Sequence, residues 1–183
     1  MPVRVSMTDL IARVRTMIAD PAGASQIFDD QTIQDYLDRH RTLVRYVQLR
    51  AAETILAGGT VEYRDYYAGY GNWEADEKLY DGTCNELTPA TADRLTGHWA
   101  FTTNQQPPVL IVGNYYDVYG AAADLLEAWA AKEKLSFDFD TDGQTFKRSQ
   151  KVAALLNLAR EYRRQQSPVA VGMVRTDANV YRA

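Results

Sequence analysis

Apolar residues recur at helical spacing near both ends of the chain and alternate with polar ones between them. From Asn114 to Arg164, two amphipathic segments follow one another. Val118, Ala122, Leu125, Leu126 and Trp129 line one face of the first, and Val152, Leu155, Leu156, Ala159 and Tyr162 repeat the geometry in the second. Ala121 to Ala123, Ala130, Ala131, Ala153 and Ala154 raise helix propensity and allow close approach. The pattern predicts a long helical hairpin. Near the start, Leu10, Ile11, Val14, Met17 and Ile18 predict a helix over 7–19, opened by a capping-box-like Ser6/Asp9 pair and stopped by Asp20, Pro21 and Gly23. A second helix begins at the Asp29/Asp30 caps, carries Ile33, Tyr36 and Leu37 inward and fades near His40.

Between these helices the texture changes. Arg41 to Arg50 (RTLVRYVQLR) is rich in β-branched and aromatic residues, with Leu43, Arg45, Val47 and Leu49 at alternating positions, which favours a strand. Continuation of the second helix into Ala51, Ala52, Ile55 and Leu56 is the competing reading. From Thr60 to Gly113, short runs rich in Tyr, Trp, Thr and Val are separated by turn signals. VEYRDYYA reads as a strand, GYGNWEADEKLY holds another, and Asp81-Gly82 is a favoured hairpin pair with Cys84 to Leu87 returning from it. A further strand lies around His98 to Thr102, and VLIV after Pro107-Pro108 reads as a buried strand.

The expected fold class is therefore α+β, mainly α. A four-helix core, made of two short N-terminal helices and the long C-terminal helical hairpin, carries a β-rich insertion and an extended C-terminal arm. The corresponding segments are 1–40, 41–113, 114–166 and 167–183.

Composition narrows the function classes. The chain has 183 residues and 46% hydrophobic residues, which suits one folded domain with an insertion. A net charge of −4 gives no electrostatic case for nucleic acid as the main partner. Cys84, the lone cysteine, excludes an intramolecular disulfide and reads as a small apolar strand residue. The opening MPVRVSMTDL lacks the apolar core of a signal peptide, and no later run is long enough to span a bilayer, so no membrane partner is expected.

Candidate chemistry is sparse. Asp138, Asp140 and Asp142 with Gly143 match the opening of a calcium-binding loop between two helices. The twelfth position is Ser149, where a bidentate Glu should stand, and Lys147 and Arg148 place positive charge beside the would-be ion. A tight Asp-Gly turn anchored by Phe137, Phe139 and Phe146 is the plainer reading, and no metal or other cofactor is expected. His40 and His98 stand far apart with no nucleophile pattern around them, and Gly69 and Gly71 lead into no helix. No enzymatic activity is expected. Protein-interface candidates are better supported. Tyr66, Tyr67, Tyr70 and Trp73, with Tyr63, are more rings than one small sheet can bury. In the arm, Val169, Val171, Met173, Val174 and Tyr181 are too apolar for a solvated tail. The acidic run Glu74, Asp76 and Glu77 reads as a solvated strand face, and Arg160, Arg163 and Arg164 suit a helix C-terminus.

Taken in order, several pieces resemble the head–tail connector (adaptor) proteins of tailed bacteriophages. These are LIARVRTMIAD, FDDQTIQDYLDRH, LTPATADRLTGHWAF followed by PPVLIVGNYYD, then YYDVYGAAADLLEAWA, FDFDTDGQTFKRSQ and LAREYRRQ. The likeness spans most of residues 7–166 and rests on order and texture, not on a catalytic signature. It implies a virion structural role in the neck, assembled in the host cytoplasm. The family forms a ring, typically of twelve copies, beneath the portal protein, meets a stopper or tail-completion protein, and lets genomic DNA pass without sequence-specific binding. The arm from Pro168 to Ala183 matches the segment that reaches the portal. Another neck or tail-completion protein, or a small calcium-responsive interaction module, are the alternatives.

Overall fold

The computed structural model describes residues 2–134, 139–141, 144–146 and 148–166. After a single 3-10 turn, Val5–Met7, two helices follow, α1 (Thr8–Ile18) and α2 (Asp30–Arg39). Eight strands come next: β1 (Arg41–Gln48), β2 (Arg50–Ile55), β3 (Val61–Tyr67), β4 (Lys78–Tyr80), β5 (Glu86–Leu87), β6 (Thr91–Asp93), β7 (His98–Ala100) and β8 (Leu110–Tyr116). Helix α3 (Val118–Lys134), a short pair β9 (Phe139–Thr141) and β10 (Gln144–Phe146), and helix α4 (Arg148–Gln165) complete it.

The mainly α expectation, with a C-terminal helical hairpin as the core, is corrected. Beside the four α-helices stand two four-stranded antiparallel sheets, ordered β1-β8-β4-β5 and β2-β3-β7-β6, with a hydrophobic core of their own. Helical periodicity is the louder signal in a sequence, whereas strands of two or three residues such as β4 to β7 are too short to show an alternation of their own. The centre of the helical part is a single helix, α3, against which α1, α2 and α4 all pack. Its Ala121, Ala122, Ala123, Leu125 and Leu126 are fully buried, as are Leu10 and Val14 of α1 and Ile33 and Leu37 of α2. Among the described residues of α4, only Leu155 and Ala159 are buried. The alanines of α3 let three neighbours approach one axis, which larger side chains would prevent.

The two N-terminal helices differ in how they are capped. Asp29 caps α2, its carboxylate accepting the Thr32 N–H at 2.7 Å. At α1, however, Ser6 is no cap: the N-cap is Met7, with no side-chain bond, and Ser6 Oγ donates 2.7 Å to Glu74. A carboxylate 68 positions away outcompetes the helix end. Ala19 closes α1 in the left-handed region, φ 53°.

The second core lies between the sheets. Trp73, Trp99 and Tyr66 are buried there with Leu79 and Ile111. Trp73 meets Trp99 edge-on at 5.6 Å, and Tyr66 meets Phe101 the same way at 5.7 Å. Gly71 and Gly97 permit this closeness, since a Cβ on Gly71 would stand 2.1 Å from the Leu95 carbonyl oxygen. Strand β8 links the cores, sending Ile111 into the sandwich and Tyr116 into the helices before α3 begins.

Candidate functional site

Segment 41–55 forms strands, not a continuation of α2. It is also where both sheets end. Strand β1 pairs only with β8, from Arg41↔Tyr116 to Gln48↔Leu110, and β2 pairs only with β3, from Arg50↔Tyr67 to Ile55↔Val61. Between them Leu49 is buried and its N–H donates 2.9 Å to the Val109 carbonyl, fixing the point where the chain leaves one sheet for the other. One continuous segment is thus the open edge of both sheets.

The edge is apolar to an unusual degree. Leu43 is 51% exposed, Tyr46 56%, Val47 39%, Ile55 73% and Leu56 41%. Strict alternation along Leu43, Arg45, Val47 and Leu49 does not survive, because a bulge shifts the register between Val44 and Val47 and holds Tyr46 at φ 51°. Leu43 therefore stays exposed while Leu49 enters the core. The Tyr46 ring leans on Tyr80 of β4, 5.7 Å between centroids. Arg41, Arg45 and Arg50 are exposed along the same edge, and none makes an ion pair among the described residues. Open edges need management, and charges and bulges are the usual means of preventing uncontrolled pairing. Sequence reasoning named several of these residues but could not place them at an edge, since that depends on which strands find which partners. Arginines interleaved with Leu, Tyr and Val were the available signal.

The other sequence candidates fall elsewhere. Tyr66 and Trp73 are buried, and Tyr70 is half-buried, stacked on Tyr115 at 4.1 Å. Two facing sheets, not one, have room for these rings. Tyr67 is 39% exposed and stacks on His98 at 4.6 Å, with His98 Nε2 2.8 Å from Asp65 Oδ1. The acidic run is not a solvated face either. Glu74 is buried: Oε1 accepts from Arg4 Nε at 2.8 Å and Ser6 Oγ at 2.7 Å, and Oε2 from the Tyr116 hydroxyl at 2.6 Å. Arg4 also reaches Asp38 at 2.6 Å. Glu77 accepts from Arg94 at 2.8 Å and the Trp99 indole at 3.0 Å.

This Glu74 cluster joins the N-terminus, α2 and β8. Burial, and then the bond to Glu74, push the Tyr116 phenol far above its ordinary range, so it stays a neutral donor. The bond to Asp38 shifts Arg4 in the same direction, deepening its hold on the proton and keeping it cationic. Because the fold's own donors occupy both Glu74 oxygens, the cluster acts as a clamp between the two cores. A second polar group fastens α4: Arg163 reaches Asp124 at 2.5 Å and Glu127 at 3.0 Å, while His40 Nε2 lies 2.8 Å from the other Asp124 oxygen.

Cys84 is exposed and sits at φ 65° in the turn after β4, so it is no strand residue. That turn is longer than a two-residue hairpin. The Asn85 side-chain amide donates to Asp81 Oδ2 at 3.0 Å, and Oδ1 accepts from the Asn85 and Thr83 N–H groups at 2.9 and 2.8 Å; these bonds, the Asn85 side chain first, hold the carboxyl down to about 2. Of the calcium-like loop, Asp138 and Asp142 lie outside the described residues. Asp140 is in β9, opposite Thr145 of β10. Val169, Val171, Met173, Val174 and Tyr181 also lie outside the described residues. No group of three or more His, Cys, Asp or Glu with metal-holding geometry occurs among the described residues. Compared with known proteins, the chain matches no family model, no curated protein and no solved structure.

Proposed function

We propose that this chain is a non-enzymatic structural subunit of a tailed-phage neck. In this reading it is a head–tail connector that assembles as a homo-oligomeric ring between portal and tail, joining the portal protein to a stopper or tail-completion protein and continuing the DNA channel. The observation that carries the reading is the doubled open edge, Arg41–Ile55. Leu43, Tyr46, Val47, Ile55 and Leu56 leave apolar surface in water on a part of the molecule that is otherwise well packed. Large apolar side chains left exposed along open sheet edges are a recurring feature of protein interfaces. A ring needs a heterologous contact, one patch meeting a different patch on the next copy, repeated until it closes. A net charge of −4 is compatible with a channel wall along which DNA slides without sticking.

The test is assembly. The purified protein is examined by native mass spectrometry and negative-stain electron microscopy over a rising concentration series, alone and with a phage portal ring. Closed rings with a central opening are the expected result. A chain that remains monomeric in both settings would remove the basis for the proposal.

A further inference from the structure

We infer that the occupant of the Arg41–Ile55 edge is a second copy of this chain, presenting the opposite edge of its sandwich, β5–β6, in a head-to-tail contact. The inference rests on the ring reading above and specifies which surfaces meet. Sheet order places β1 and β2 at one side of the two sheets and β5 and β6 at the other. The two sides differ in charge. Strands β1 and β2 carry Arg41, Arg45 and Arg50 against the single carboxylate Glu53. The far side carries Asp81, Glu86 and Asp93. Lys78 answers Glu86 at 3.1 Å, and Arg94 is committed to the buried Glu77, which leaves Asp81 and Asp93 without a cation among the described residues.

Those two carboxylates are held in place. Asp93 accepts the Leu95 N–H at 3.1 Å, and Asp81 accepts from Thr83 and Asn85 as described. Bonds donated to them lower the proton affinity of both, so they are anionic throughout the neutral range. The far side also offers apolar surface, with Leu95 37% exposed.

Opposite charge at opposite ends of one module selects head-to-tail association and penalises like edges meeting, because two arginine edges or two acidic edges repel. Heterologous contacts of this type generate rings when the rotation closes. The bulge at Tyr46 and the two- and three-residue lengths of β5 and β6 prevent a long continuous ladder across the junction. Side chains therefore carry most of the contact, apolar ones supplying area and charged ones direction, and in doing so cover the free edge amides from water.

Charge reversal tests this. Arg45 and Glu86 are both exposed and lie on opposite edges of one sheet. Each of Arg45→Glu and Glu86→Arg is expected to weaken self-association by about tenfold or more in low salt, with melting temperatures near that of the parent protein. Mixing the two variants brings a reversed edge against a reversed edge, and is expected to restore assembly that neither shows alone. High salt should weaken the parent assembly. If both variants assemble like the parent at every salt concentration while rings still form, this inference is overturned and the ring reading survives. A parent protein that never assembles overturns both.

Discussion

Around α3, apolar side chains leave solvent almost completely, whereas the sandwich keeps a row of them outside. Among the described residues of the four α-helices, Leu158 is the only large apolar side chain that is strongly exposed. Leu43, Tyr46, Val47, Ile55, Leu56, Tyr67 and Leu95 all belong to the β module, and the other two exposed ones among the described residues, Val3 and Val5, lie at or just before the 3-10 turn that precedes α1. A helix can be surrounded by its neighbours, but a sheet that does not close must end, and its last strand covers nothing on one side. The helical core is the finished part of the molecule. The sandwich is finished inside, at Trp73 and Trp99, and unfinished at its edge. The difference locates folding energy in one set of residues and, under the proposed ring reading, assigns association to another.

The largest effects should come from the interiors. Trp73→Ala or Leu125→Ala removes a fully buried side chain from one core or the other and is expected to cost about 3–5 and about 2–5 kcal/mol respectively, read from chemical denaturation. Comparing them tests how independent the cores are. If the Glu74 clamp couples them, both variants shift one common transition; two separated transitions would show that the cores unfold apart.

Glu74→Ala addresses the clamp itself. It strips Arg4, Ser6 and Tyr116 of their shared acceptor, and a loss of about 2–3 kcal/mol is expected, with less cooperative unfolding. Gly120→Ala should be milder, about 1–3 kcal/mol, because a Cβ there would lie 2.7 Å from His40 Nδ1 and would displace the ring from Asp124. Loss of the His40 resonance coupling to Asp124 in an NMR spectrum would report it.

Much of this division was legible in the sequence, and the rest depended on contacts it does not display. The stripe Leu10, Ile11, Val14 and Ile18 and the cap Asp29 are local, and both were readable. Glu74 looked like part of a solvated acidic run because its partners lie at positions 4, 6 and 116. Ser6 looked like a cap for the same reason. Arg41 to Arg50 reads as a strand, but Ala51 to Leu56 also reads as a helical continuation, and neither the exposure of Leu43 nor the burial of Leu49 is assignable before the bulge and the pairing with β8 are known. The mainly α expectation failed because the strands were legible but their long-range pairing was not: β4 with β8 and β7 with β3 build two sheets over a core of their own, where the sequence suggested an insertion on a helical core.

Acid provides a smaller probe of the β module. The Asp81 carboxyl is held down to about 2 from an ordinary 3.8. Its contribution is thus fully present above about pH 4 and is lost as pH falls through about 2. Asn85→Ala should move its NMR titration midpoint upward, toward 3.8, because the side-chain bond from Asn85 is the largest cause of the depression.

The smallest expected effect on folding belongs to the edge. Val47→Lys should change unfolding free energy by no more than about 0.5 kcal/mol, as at other exposed positions, while abolishing assembly. The contrast with Trp73→Ala is the sharpest form of the comparison, one residue essential to the fold and the other to association.

Amide hydrogen exchange across Arg41–Ile55, measured at a low and a high protein concentration, tests the central claim most directly. The edge should exchange fast in the dilute sample and become protected when concentrated, with α1 and α2 unchanged. Equal exchange along this segment at both concentrations, in a sample shown to have assembled, would contradict the account.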